Sequence, residues 1–185
     1  SFRDQIRVYN DCNEGEDADD PASWAEKAKH VEARGFDALK FDIDPRPTQR
    51  DRYNRTIRNA DVAFFIDVVT AIRESLHPDT DLAIDAHWRY APADILKVAY
   101  AFEALDLLWL EDPIPPENVA ALREVKTATR TPICTGENLY TRHGFRELVE
   151  HQAADIISPD LAKAGGLSEG RRIADLADTY YIPVA

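Results

Sequence analysis

An α/β fold, read as the central part of a (β/α)₈ barrel, is predicted by three observations. Short β-branched or apolar runs alternate with longer segments of helical period. Acids stand at the ends of four successive runs at near-constant spacing: Asp85 to Glu111 is 26 residues, Glu111 to Glu137 again 26, and Glu137 to Asp160 23. The stretch Asn10-Asp11-Cys12-Asn13 lacks the Gly-rich phosphate loop that the rival doubly wound sheet would carry. One βα unit separates each acid from the next, so side chains at consecutive strand ends converge on a single barrel mouth.

Seven strands are expected, at residues 6–9, 38–43, 82–85, 107–111, 133–135, 156–158 and 182–185. Between them, residues 22–34, 61–75, 93–105, 119–127, 144–151 and 168–179 place apolar side chains at helical spacing. The one long irregular stretch, 44–59, carries Pro45 and Pro47 and follows the second strand. A loop there lies at the C-terminal face of a barrel, where insertions shape active sites. Residues 1–185 are thus read as one domain, a barrel that lacks its eighth strand and so exposes unpaired sheet edges.

At 185 residues and 44% hydrophobic composition the chain can bury one substantial core. No run approaches the 18 or more uncharged apolar residues of a membrane span, and the start, Ser1-Phe2-Arg3-Asp4, lacks a signal peptide's apolar core, so a cytoplasmic protein is expected. The two cysteines, Cys12 and Cys134, form neither a CxxC nor a Cys/His metal spacing. With 34 acidic against 22 basic residues, the net charge of −12 repels phosphate backbones and argues against nucleic acid as a partner. Most of that charge reads as a solvated surface.

A single acid at a strand end is readily a helix N-cap. Several in phase are different, because like charges crowded into one mouth raise one another's pKa and repel. Such a cluster implies a cation, and hard carboxylate oxygens suit Mg²⁺. His87 lies two residues beyond Asp85, so on a strand both side chains point into the mouth, a placement that suits a general acid; a histidine that only hydrogen-bonds substrate or caps a helix is the alternative. Asp112 faces away from Glu111's side of its strand. Trp88 and Trp109 are expected to pack against helices, and His30, His77, His143 and His151 to lie on the surface. Arg89, two residues past His87, can reach a substrate or merely be solvated.

The segments Asp85-Ala86-His87, Leu110-Glu111-Asp112-Pro113, Thr135-Gly136-Glu137-Asn138 and Ser158-Pro159-Asp160-Leu161-Ala162-Lys163-Ala164-Gly165-Gly166 resemble the mandelate racemase and muconate lactonizing branch of the enolase superfamily. The resemblance runs from about Ile6 to Ala185. Asp-x-His on the third strand, the Gly-Glu-Asn segment on the fifth and Lys40-Phe41-Asp42 after Gly35-Phe36 are most similar to the acid-sugar dehydratases of the galactonate type.

The resemblance implies Mg²⁺ held by Asp85, Glu111 and Glu137, with His87 protonating the departing β-hydroxyl. Asp160 is implied to orient a histidine at the end of the seventh strand, which would then lie beyond Ala185. Relatives carry a Lys-x-Lys pair on the second strand; here the second position is Asp42, which cannot act as that base. Lys40 is left to face the substrate carboxylate, or to pair with Asp42 or Asp44. Lys163 is a weaker candidate for substrate contact. An N-terminal capping domain that sets specificity has no counterpart in these residues. The function implied is Mg²⁺-dependent dehydration of an aldonic or related sugar acid, a hydro-lyase acting on a small molecule in a homo-oligomer. A racemase or epimerase using the same enolisation, and a non-catalytic barrel used for binding or assembly, are the alternatives.

Overall fold

The computed structural model describes residues 4–43 and 56–185. Six strands, β1 (Asn10–Cys12), β2 (Ala38–Asp42), β3 (Asp81–Asp85), β4 (Trp109–Glu111), β5 (Ile133–Thr135) and β6 (Ile156–Ile157), form one sheet in the order in which they occur along the chain. Every pairing is parallel. The crossovers are α1 (Pro21–Glu32), α2 (Asn59–Ser75), α3 (Pro92–Phe102), α4 (Val119–Ala128) and α5 (Thr141–Glu150), with α6 (Leu161–Ala164) and α7 (Leu167–Asp178) after β6. This is successive βα winding, with helices supplying the cover that a parallel sheet needs. Among the described residues no helix is long and apolar enough to cross a membrane.

Local chemistry explains the helix starts. Asp20 caps α1 by accepting from the Ala22 amide at 3.0 Å, and Pro21 occupies the first turn, where no amide hydrogen is needed. Asn118 caps α4 through the Ala121 amide, also at 3.0 Å. Strand alternation then divides the sheet into two faces. Leu39, Phe41, Leu82, Ile84, Leu110 and Ile133 are fully buried in the main core with residues from the helices, including Val68, Ile72, Val98 and Leu122. On the opposite face Ala83, Trp109 and Cys134 form a smaller cluster, with Tyr9 and Ile156 packed on it.

Two strands differ from the sequence reading. Residues 6–9 are not the first strand: Ile6 is 77% and Val8 61% exposed, and the ladder begins at Asn10, opposite Leu39. Arg7 lies between those apolar residues and is held instead by Asp37 and Asp81, at 3.0 and 2.5 Å. The alternating pattern marked a segment that flanks the sheet without joining it. Residues 182–185 make only one bridge, Ile157 to Val184; Pro183 has no amide hydrogen to donate and contributes only its carbonyl, to the Ile157 amide at 3.0 Å. The irregular 44–59 segment falls largely outside the described residues, and Asn59 already belongs to α2. Gly144, placed at a helix start, lies inside α5.

Leu110 tests this packing. Its side chain is wholly buried, so Leu110→Ala should destabilise the protein by about 2–5 kcal/mol through lost transfer energy and an unfilled cavity. Urea unfolding would measure it, and a loss within about 0.5 kcal/mol would contradict the assigned burial.

Candidate active site at the strand ends

Parallel register brings three acids level. Asp42 pairs with Asp85, and Asp85 with Glu111, so the C-terminal ends of β2, β3 and β4 carry a row of carboxyl groups across adjacent strands. One pleat lower on the same face sit Lys40, Ala83 and Trp109.

Lys40 is 5% exposed, and its ammonium donates to Asp85 Oδ2 at 2.9 Å and to Glu111 Oε1 at 3.0 Å. The other oxygens of both acids are also engaged. The His87 amide donates to Asp85 Oδ1 and the Trp109 indole to Glu111 Oε2, each at 2.8 Å. Lys40 therefore pairs with these two acids rather than with Asp42, and Trp109 faces the strand-end site rather than the helices. The indole is drawn there by its own strand, because residues 109 and 111 share a face and Nε1 can reach the carboxylate. Tyr9 meets the Trp109 ring edge-on at 5.6 Å and lies 5.8 Å from the Lys40 ammonium.

β3 ends at Asp85, and His87 takes a left-handed backbone with φ of 47°. The turn, and not strand alternation, sets its imidazole beside Asp85, with Nε2 at 3.8 Å from Oδ2. One oxygen or nitrogen from each of Asp42, Asp85 and His87 lies within 4.8 Å of the others. Trp88 stacks edge-on against the His87 ring at 5.5 Å. Arg89 follows, half-buried, with its amide bonded to the Ala86 carbonyl.

A second group contains Glu111, Asp112 and Glu137, again with ligand atoms mutually within 4.8 Å. Asp112 leaves the strand with φ of 43° and accepts a hydrogen bond from the Thr135 hydroxyl on the neighbouring strand. Its Oδ2 is buried with no hydrogen-bond partner among the described residues. Glu137 is placed by Gly136, whose φ of 143° suits glycine, and where a Cβ would stand 2.8 Å from the Phe145 ring. Asp85, Glu111 and Glu137 are thus divided between two groups that meet at the Asp85–Glu111 register pair.

Asp160 ends the row in another way. Its Oδ1 accepts from the Ala162 and Lys163 amides, at 2.8 and 3.2 Å, and caps α6. Lys163 lies 3.9 Å from both Asp160 Oδ2 and Glu137 Oε1, tying the ends of β5 and β6 together. His30, His77, His143 and His151 are exposed, as expected.

The electrostatics follow from burial. Burial disfavours the ionised form of Glu111, and Asp85 adds to the effect, so its pKa is raised although Lys40 and Trp109 oppose the shift. Burial alone would lower the Lys40 pKa, but Glu111 and Asp85 outweigh it and hold the ammonium charged. Burial pushes Asp42 up to about 6 and Asp112 up to about 7. The donor set suits a hard divalent cation: carboxylate oxygens crowded on one edge, one of them buried and without a partner, and more acids than the single buried lysine can neutralise. The groups that could hold it are Asp42, Asp85 and His87, and Glu111, Asp112 and Glu137. Asp42 and Asp112 were legible in the sequence only as a departure and as an outward-facing neighbour. The signals were present, in the i, i+2 relation of Asp42 to Lys40 and in the acid following Glu111. Both thiols are free and buried, with the Cys12 pKa pushed up to about 11.

A parallel βα sheet wound in chain order, with acids in register along its C-terminal edge, defines a barrel-type protein with an anionic mouth. Residues 23–185 match the family described as Enolase C-terminal domain-like, and the chain belongs to that family. It is 44% identical over its whole length to a D-xylonate dehydratase of Haloferax volcanii, covering 45% of that protein. It is 31% identical to a D-gluconate dehydratase of Thermoproteus tenax, covering 36% of it. A crystal structure of a mandelate racemase/muconate lactonizing enzyme-like protein from Rubrobacter xylanophilus superimposes with a TM-score of 0.92 at 41% identity, over 99% of this chain and 50% of that one. The chain spans half or less of the length of these relatives.

The raised carboxyl groups set a pH dependence. An acid that titrates at about 7 when folded, against 3.8 otherwise, binds its proton more tightly in the folded state, so stability falls as pH rises through that window. With divalent cations chelated, urea unfolding should show the wild type losing stability relative to Asp112→Asn between about pH 4 and 7. Stability that climbs through this window in step with other carboxylates, with no change in the variant, would contradict the burial argument.

Proposed function

We propose that this chain forms the acid–base and cation-binding part of a sugar acid dehydratase acting on an aldonic acid or a close relative. The observation that carries the reading is the register row of Asp85 and Glu111 with Lys40 between them and His87 at its edge. The D-xylonate and D-gluconate dehydratases among the relatives support it.

Asp85, Glu111 and Glu137 would hold Mg²⁺. Bound there, the cation supplies positive charge to the substrate carboxylate as negative charge develops on it during loss of the α-proton. Lys40 adds a second, permanent positive charge on the same side. His87 gives its proton to the β-hydroxyl, which departs as water while the electron pair left by the α-proton forms the new double bond. The enol so produced tautomerises to a 2-keto-3-deoxy acid. His87 suits this role because the left-handed turn holds its ring at the rim beside Asp85. The α-proton goes to a base outside residues 1–185, which we assign to a histidine oriented by Asp160 Oδ2, the oxygen that does not cap α6.

Two outcomes follow for the full-length protein. His87→Asn should slow dehydration by about 10²–10⁴-fold while exchange of the α-proton into deuterated solvent persists, since acid and base are separate groups. Loss of both together would refute that separation, and exchange without dehydration in the wild type would favour an epimerase. Glu111→Gln should weaken Mg²⁺ binding, read by calorimetry, while the far-ultraviolet circular dichroism stays native. Detection of a 2-keto-3-deoxy product from a panel of aldonic acids is the direct assay.

A further inference from the structure

We infer that Lys40 is a competitor of the divalent cation, its ammonium exchanging between the Asp85–Glu111 pair and Asp11 as the cation binds. The inference rests on the proposed cation-binding role of Asp85 and Glu111 and adds a residue that governs it.

All four carboxylate oxygens of Asp85 and Glu111 accept a hydrogen bond: two from Lys40, one from the His87 amide and one from the Trp109 indole. A cation that takes oxygens from both acids must therefore share or displace a donor. The three donors are not equivalent. The His87 amide belongs to the backbone of a tight turn, and the Trp109 ring is buried against Ala83 and Cys134 with Tyr9 on its edge. Only Lys40 carries a positive charge, and only it ends a flexible four-carbon stem. A second cation between the same oxygens repels it directly.

An alternative anion stands ready on the far side. Asp11 pairs in register with Lys40 across β1 and β2, and its Oδ1 is 4.0 Å from the Lys40 ammonium, while the carboxylate itself is largely exposed. Moving from the Glu111 side toward Asp11 keeps the ammonium paired throughout, so displacement does not strand a buried charge.

Calorimetric titration of the full-length protein with MgCl₂ tests this in a double-mutant cycle. Lys40→Met should bind Mg²⁺ at least about tenfold more tightly than the wild type, since no ammonium has to leave. Asp11→Asn should weaken Mg²⁺ binding in the wild-type background by removing the destination of Lys40. In the Lys40→Met background Asp11→Asn should matter much less. Lys40→Gln, which removes the charge but keeps an N–H donor, carries the same expectation if Lys40→Met does not fold.

Equal or weaker Mg²⁺ binding by folded lysine variants overturns the competition, with the metal site itself left standing. An Asp11→Asn penalty of the same size in both backgrounds overturns the exchange, because a general loss of negative charge explains it. Absence of Mg²⁺ binding by the wild type overturns both this inference and the metal reading beneath it. A wild-type crystal structure with Mg²⁺ bound gives an independent readout: the Lys40 ammonium must lie beside Asp11 and away from Glu111.

Discussion

Burying several carboxyl groups side by side is the constraint from which the rest of the site follows. Parallel register sets Asp42, Asp85 and Glu111 level on adjacent strands, where their mutual repulsion is screened little by solvent. The protein answers with donors: the Lys40 ammonium, the Trp109 indole and the backbone amide of a left-handed turn. They do not restore neutrality. Asp42 and Asp112 hold their protons toward neutral pH, and Asp112 keeps an oxygen without a hydrogen-bond partner among the described residues. A region so constituted favours any compact positive charge.

The same strands supply the rigidity. Leu82 and Ile84 anchor β3 to the helices while Asp85, one residue on, faces the other way; Leu110 and Glu111 divide β4 likewise. A slip of one residue in either strand would bury an acid among the helices and turn a leucine or isoleucine into the mouth. The geometry of the strand-end carboxyl groups and the hydrophobic packing are therefore enforced by one alternation, and a core substitution in these strands carries a consequence at the strand ends.

Much of the architecture was legible because it depends on periodicity. The acid spacing located the ends of β3 and β4 to the residue, and all six of the helical segments fell within a few residues of their observed bounds. The first strand was misread because Ile6 and Val8 alternate as a strand does; only the tertiary clamp of Arg7 by Asp37 and Asp81 shows that they lie outside the ladder. The short α6 lies outside the expected helical segments, since four residues are too few for a helical period to appear. In the site, the types and approximate places of Asp85, His87 and Glu111 could be read. The pairing of Lys40 could not, because sequence distance says nothing of which anions a long flexible side chain finds across two strand boundaries. Nor could the left-handed turns at His87 and Asp112, which follow from how the chain leaves the sheet.

The indole of Trp109 has a consequence of another kind. It is one of three tryptophans, and unlike Trp24, whose ring nitrogen is bonded to the Ala18 carbonyl at the start of α1, it donates directly to a carboxylate of the strand-end row. An excited indole responds to charge near its ring nitrogen, so the protein carries an optical gauge wired to Glu111. Arrival of a cation, departure of the ammonium or protonation of the acid would each alter the field along that ring. A variant retaining Trp109 alone would then report, from its own emission and without added dye, what the strand-end carboxylates are holding.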